Sequence, residues 1–286
     1  MIKDIIKTLK VNHYVKNLIV VIPLLFSNNI TNLPKIINCV WIFIAFCFIS
    51  SAVYVLNDLI DIEQDRKHPI KCNRPIASGR LSKTFAIILC IFLVVLSSII
   101  ALCLAPLCFV VVVLYFILNI FYSLYLKKLA LIDTACIALG FVLRILSGCF
   151  AISVIPSALV ILMTFFASMF FTFSKRKLEL QITNSDNRRE SLQAFDTSVV
   201  NQFVVINAIL AISFYMTYTL DNETMLRAGT NFLYLTSIPF TLIVFRLLLL
   251  VNTANAGDDP IVFIENDVQI KFLILLYFVV LFTVLI

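Results

Sequence analysis

Four acids crowd the end of a long apolar run, in Asn57-Asp58-Leu59-Ile60-Asp61-Ile62-Glu63-Gln64-Asp65. At about 100° per helical residue, Asp58, Asp61 and Asp65 fall within roughly 60° of one another, and Asn57 widens the arc to roughly 100°. Glu63 points to the other side. A helix seeking only solubility scatters its charges, whereas this one gathers three carboxylates and an amide in one stripe. Such groups repel unless a cation or a cationic partner sits among them. Few, hard oxygen ligands suit Mg²⁺ that is also held by phosphate oxygens. The competing reading is an acidic helix end paired with the basic loop that follows.

That loop, 65–80, contains five Lys or Arg residues, Arg74 among them, and two prolines, so it reads as an ordered or ligand-binding loop. Further cations stand near other apolar ends. Lys175 and Glu179 are i, i+4 on one face while Lys177 points away, and Lys177 reads as an anchoring residue. Lys175 and Arg176 suit either a helix C-terminus or a phosphate. Tyr122, Lys127, Lys128 and Asp133 bound a short turn and read equally as an aromatic belt with topogenic lysines or as a binding group. Arg144 lies inside an apolar stretch, roughly 16 Å of helix rise beyond Asp133. It needs an acid such as Asp133 or Glu179, or a phosphate. Lys16 and Asn17 could reach the same face. His13 and His68 lack a second ligand at useful spacing.

These groups sit on a chain of 286 residues that is 62% hydrophobic and only 13% charged. A soluble protein carries about twice that charge, and the mean hydropathy is +1.05. The class is therefore all-α, a polytopic membrane protein. About nine segments of near-spanning length are legible, over 18–30, 36–58, 83–104, 107–126, 131–154, 157–180, 198–220, 232–251 and 268–286. They are expected to form one bundle and one domain over 1–286, preceded by an amphipathic lead-in over 1–16. The first apolar run mimics a signal peptide, but Ser27-Asn28-Asn29 offers no small-x-small cleavage site. The eight cysteines have no metal or redox spacing. Phosphate-binding glycine loops and Ser-His-Asp sets are absent from the sequence.

Lys and Arg concentrate at the N-terminus and after the second, fourth and sixth segments, which predicts a cytoplasmic N-terminus and an external C-terminus. The net charge of +6 thus reads as cytoplasmic loops in a lipid bilayer and implies no nucleic acid. The loop after the eighth segment is the exception, acidic through Asp258, Asp259, Glu265 and Asp267, and is a candidate lid. The active cavity is expected on the cytoplasmic side. A transporter would need broken helices and ionisable groups at mid-membrane, where only Arg144 intrudes.

Asn57-Asp58-x-x-Asp61-x-x-x-Asp65 followed by Arg74-Pro75-Ile76-Ala77-Ser78-Gly79 resembles the first Asp-rich motif of the UbiA superfamily of intramembrane prenyltransferases. Three further stretches are similar to its decaprenyl-phosphate phosphoribosyltransferase branch. They are Val15-Lys16-Asn17-Leu18 with Pro23-Leu24-Leu25-Phe26, then Tyr122-Ser123-x-Tyr125-Leu126-Lys127 with Asp133, Gly140-Phe141, Leu143-Arg144 and Gly148, and Lys175-Arg176-x-x-Glu179-Leu180. Where the branch carries Tyr after Arg189-x-x-Leu192, this chain has Phe195.

The resemblance implies transfer of a 5-phosphoribosyl group from 5-phosphoribosyl diphosphate (PRPP) to a polyprenyl phosphate, with Mg²⁺ as cofactor, at a bacterial inner membrane. It assigns Asn57, Asp58, Asp61 and Asp65 to the metal and the leaving diphosphate. Phosphate contacts fall to Lys16, Asn17, Arg74, Tyr122, Lys127, Arg144, Lys175 and Arg176. Asp58, Asp61, Lys175 and Glu179 form the catalytic set, Glu179 orienting Lys175 or a ribose hydroxyl. A homo-oligomer is compatible with all of this. The alternative within the superfamily moves a polyprenyl chain from its diphosphate to an aromatic or other small acceptor and would want a second Asp-rich motif.

Overall fold

The computed structural model describes residues 2–27, 29–182, 191, 194–253 and 260–285, and their regular elements are all helical. Arg188, Arg189, Glu190, Leu192, Asp258 and Asp259 of the two polar loops lie outside the described residues. Among the described residues, eight helices are long and apolar enough to cross a membrane, and a shorter apolar stretch, Val11–Leu25, precedes them. The chain is an integral membrane protein of the all-α class. It forms two compact units. The first contains the residues up to Leu25, Asn29–Leu126 and Leu143–Ile155; the second contains Phe26, Lys127–Val142 and the chain from Pro156 on.

The first unit is built from α1 (Ile2–Leu9), a 3₁₀ helix (Val11–Val21), α2 (Ile22–Leu25), α3 (Leu33–Ile60), α4 (Ile62–Lys67), α5 (Lys83–Leu104), α6 (Pro106–Leu124) and the latter part of α7 (Ile132–Ala151). Local chemistry sets the ends. The Asn32 side chain accepts the Lys35 N–H at the start of α3, and Ser82 accepts that of Phe85 at the start of α5. Pro106 opens α6 directly after the extended Ala105. Ile42, Phe46, Ile49 and Val53 form one stripe of α3 that packs on Val20 and on Val111, Val112 and Tyr115 of α6. The Ser97 hydroxyl donates to the Ala45 carbonyl at 2.8 Å, where small residues let α5 and α3 approach.

The first apolar segment departs from the α-helix expected over 18–30. It is a 3₁₀ helix from Val11 that passes into α2 and ends at Leu25. Its inward positions recur every third residue, at Tyr14, Asn17, Val20 and Pro23, which a helix of three residues per turn aligns on one face. Pro23 has no N–H to give an α-helical bond to Ile19. Gly148 of α7 presses on this face. A Cβ there would lie 2.1 Å from the Val20 carbonyl oxygen, so only hydrogen fits.

The second unit contains the first part of α7 with α8 (Ala158–Ile182), α9 (Thr197–Leu220), α10 (Asn222–Ala228), α11 (Ser237–Thr253), α12 (Pro260–Asn266) and α13 (Val268–Leu285). Phe170 and Phe173 of α8 meet Val200, Val204 and Ala208 of α9, Val244 and Leu247 of α11, and Ile270 of α13. Phe195 belongs to this core, with its ring 6.3 Å from Phe173 and 6.1 Å from Phe203. The described part of the acidic loop is packed. Phe263 and Ile264 of α12 lie on the same core, and Asp267 pairs with Arg246 at 2.7 Å.

Candidate functional site

The acidic stripe is brought together across an irregularity that the sequence does not announce. α3 ends at Ile60, Asp61 takes φ −91° and ψ 10°, and α4 starts at Ile62. Backbone hydrogen bonds bridge the bend, from Asp61 N–H to the Asn57 carbonyl (3.0 Å) and from Asp65 N–H to the Asp61 carbonyl (2.8 Å). The periodicity therefore survives, although the expected single helix is bent. Asp58 and Asp65 are buried, Asp61 is half-buried, and Glu63 points out to pair with Arg66 at 3.2 Å.

Arg74 closes the stripe. Its Nη1 lies 3.1 Å from Asp58 Oδ1 and 2.7 Å from Asp65 Oδ2. The loop that carries it is ordered by buried Ile76 and Ala77, by the Leu81 N–H to the Pro75 carbonyl (3.0 Å), and by Arg80, which donates to the Asn73 carbonyl at 2.7 Å. A second cation reaches Asp58, since Lys10 Nζ lies 3.2 Å from the same Oδ1. Asn57 Oδ1 accepts a hydrogen bond from the Ser123 hydroxyl. Two carboxylates thus converge on one cationic nitrogen with an amide oxygen a residue away, an oxygen donor set that fits a hard dication sharing its shell with phosphate and water. Among the described residues, no three His, Cys, Asp or Glu side chains are gathered closely enough to form a metal cage by themselves.

Deeper in the first unit, Arg144 is buried and bonds to an amide and a phenol. Its Nε donates to Asn17 Oδ1 at 2.8 Å and its Nη2 to the Tyr115 hydroxyl at 2.9 Å. The guanidinium also lies over the rings of Tyr115 (4.8 Å) and Phe46 (5.7 Å). Asn17 in turn donates to Ser50 Oγ at 3.2 Å. The 3₁₀ helix is what points Asn17 at this arginine. Lys16 is half-buried one residue earlier, and Tyr122 is half-buried near the end of α6.

In the second unit the end of α8 forms another charged cluster. Arg176, with its side chain 4% exposed, donates through Nη2 to Asp133 Oδ2 (2.9 Å) and through Nη1 to Glu179 Oε2 (2.7 Å). Ser191 Oγ adds a bond to Asp133 Oδ2 at 3.1 Å. The two acids that the sequence offers as partners for Arg144 are therefore both engaged by Arg176. Lys175 is exposed, and Lys127 is half-buried in a 3₁₀ turn, Leu126–Lys128. Lys177 departs from its reading as an outward anchor. It is buried, and its Nζ donates to Asn201 Oδ1 at 2.7 Å and to Asn252 Oδ1.

Lys10 and Lys177 are the neighbours of the candidate site that the sequence misses. For Lys177 a signal existed, because it continues the inward stripe of Phe170, Phe173 and Ser174 at helical spacing. For Lys10 there was none, since it stands among Lys3, Lys7 and Lys16 with nothing to mark it out.

The described residues thus hold a carboxylate stripe at the end of one apolar helix and a clamped arginine at the end of another, in an all-helical membrane protein. The profile of the UbiA prenyltransferase family matches residues 20–275, and the chain belongs to that family. It is 31% identical over 273 residues to the decaprenyl-phosphate phosphoribosyltransferase of Corynebacterium glutamicum, covering 92% of this chain and 81% of that protein. It is 28% identical over 240 residues to the enzyme of the same name from Mycolicibacterium smegmatis, covering 81% and 76%. Its fold is similar to that of a UbiA homologue from Archaeoglobus fulgidus solved with DMAPP and Mg²⁺, with a TM-score of 0.74, 17% identity and 99% of each chain covered.

Proposed function

We propose that this protein, acting as one UbiA-like domain, transfers the 5-phosphoribosyl group of PRPP to a polyprenyl phosphate in a bacterial inner membrane, with its N-terminus and active groups cytoplasmic. The lipid phosphate oxygen attacks C1 of the ribose. The bond from C1 to the diphosphate oxygen breaks, and its electron pair leaves with diphosphate. A phosphate monoester with a second pKa near 6 is already largely ionised, so the chain need supply no general base. Its task is to bring two anions together and stabilise the charge on the departing one.

Asn57, Asp58, Asp61 and Asp65 would hold Mg²⁺, which when bound supplies charge neutralisation on the leaving diphosphate. Arg74, tied to Asp58 and Asp65, presents the rest of its guanidinium fork beside that position. Lys175, Arg176 and Lys127 are the proposed phosphate contacts of the second unit, with Glu179 fixing the Arg176 fork. Lys16 and Tyr122 would add contacts in the first. Arg144 and Asn17, bonded to each other, would add contacts deeper in the first unit.

The observation that favours this reading over prenyl transfer to a small acceptor is the end of α8. A second Asp-rich motif would stand there, but the chain has Lys175-Arg176-Lys177, and the one acid of that turn, Glu179, is paired with Arg176. The test uses purified protein in detergent with Mg²⁺, a polyprenyl phosphate and PRPP labelled in the ribose. Label should pass into the organic phase, and EDTA should stop it. Prenylation of an aromatic acid from a prenyl diphosphate, without ribose transfer, would overturn the proposal.

A further inference from the structure

Asp58 Oδ1 accepts two basic side chains at once, Arg74 Nη1 at 3.1 Å and Lys10 Nζ at 3.2 Å. The two are not equivalent. Arg74 has a second carboxylate, Asp65, at 2.7 Å, and keeps it whatever happens at Asp58. Lys10 has a long flexible stem, 23% exposed, and its ammonium rests 4.7 Å from the Tyr54 ring centroid. Its backbone is left-handed (φ 51°, ψ 49°) at the joint between α1 and the 3₁₀ helix, a conformation that non-glycine residues adopt at a cost. The backbone on either side is fixed. The Ser51 hydroxyl donates to the Leu9 carbonyl at 2.9 Å, Asp4 pairs with Arg80 at 2.9 Å, and Ile5 and Leu9 pack with Ile62, Ile76 and Leu81. The Lys10 side chain is thus free to swing from a fixed base.

A divalent cation binds a carboxylate oxygen at about 2.0–2.1 Å when it is Mg²⁺. An ammonium hydrogen-bonded to the same oxygen would then face it across a few ångströms, and the two repel strongly in a half-buried setting. We propose that Lys10 is a positioning residue that competes with the divalent cation for Asp58 Oδ1 and, once displaced, turns its ammonium toward the substrate diphosphate. Lys10 then couples metal loading to substrate binding, because it loses one anionic partner as the other arrives. This inference rests on the reading of Asp58 as a metal ligand.

The test measures Mn²⁺ binding to the purified full chain without substrate, by the paramagnetic resonance signal of free Mn²⁺, beside the steady-state kinetics of each variant. Lys10→Met should bind Mn²⁺ about tenfold tighter than the wild type, since one competing charge is gone. Its KM for the diphosphate substrate should rise. Lys10→Arg, which keeps the charge, should stay near the wild type in Mn²⁺ affinity. A purely structural role would weaken both properties of Lys10→Met together, so the opposite signs are diagnostic. Asp58→Asn serves as the reference. If it loses Mn²⁺ binding while Lys10→Met leaves the affinity unchanged or weaker, the role of Lys10 is overturned and the metal reading stands. If Asp58→Asn binds Mn²⁺ as the wild type does, the metal reading itself fails and the Lys10 proposal with it.

Discussion

The two charged clusters are built in opposite senses. In the first unit an acid is at the centre, and Asp58, 2% exposed, is served by two cations that reach in from the N-terminal joint and from a loop, Lys10 and Arg74, both part-exposed. In the second unit a cation is at the centre, and Arg176 is gripped by Asp133 from α7 and by Glu179 from its own helix. Cations on flexible, hydrated stems can be exchanged for another cation. A buried arginine whose partner Asp133 is itself buried cannot be released without leaving a bare charge. The first cluster is therefore suited to receive a metal, and the second to hold a guanidinium fork in one place.

Asp58→Asn attacks that contrast most directly. It should lower transfer by about a thousandfold, the scale on which preorganised charge stabilisation acts. The melting temperature in detergent should fall little, because Lys10 and Arg74 can turn to water and Arg74 retains Asp65. Unfolding of this variant would break the comparison. Arg176→Ala should instead cost stability, about 3–5 kcal/mol, by stranding the Asp133 carboxylate, and a chemical denaturation series would read it. Adding Asp133→Asn should recover much of that loss. Lys177→Met should cost about 1 kcal/mol or less, since its partners are neutral amides and Asn252 is exposed to solvent. A loss as large as that of Arg176→Ala would make Lys177 part of the same clamp.

The smallest effect belongs to Asp267. The Arg246 guanidinium bonded to it holds its carboxyl below the usual carboxylate range. A depressed folded-state pKa adds stability that is present above the unfolded value, about 3.9, and lost as pH falls through the folded one. Asp267→Asn should therefore lower the melting temperature slightly at neutral pH, and the difference from the wild type should vanish in acid.

Apolar run length and local capping made most of the fold legible. The helix expected over 83–104 is Lys83–Leu104, since Ser82 caps one end and Pro106 follows the other. The acidic stripe was legible because period and residue type agree there, and Arg74 could be foreseen as its basic neighbour. The bend at Asp61 was not, because nothing in Leu59-Ile60-Asp61-Ile62 disfavours a straight helix. Lys177 reads as an anchor when counted with its charged neighbours, and as an inward residue when counted with the apolar face it continues. Lys10 depends on a left-handed residue that no glycine or asparagine signals.

The 3₁₀ helix also works as a ruler. Its 11 residues rise about 2.0 Å each, and the 4 of α2 about 1.5 Å each, for a reach of roughly 28 Å. Wound wholly as α-helix, the same stretch would fall about 5 Å shorter, well inside a hydrocarbon layer of about 30 Å. By winding tightly, Val11–Leu25 gains reach from a short length of chain. That reach separates Lys10, at its start, from Asn17 and Val20, which it sets at the levels where Arg144 and Gly148 meet them.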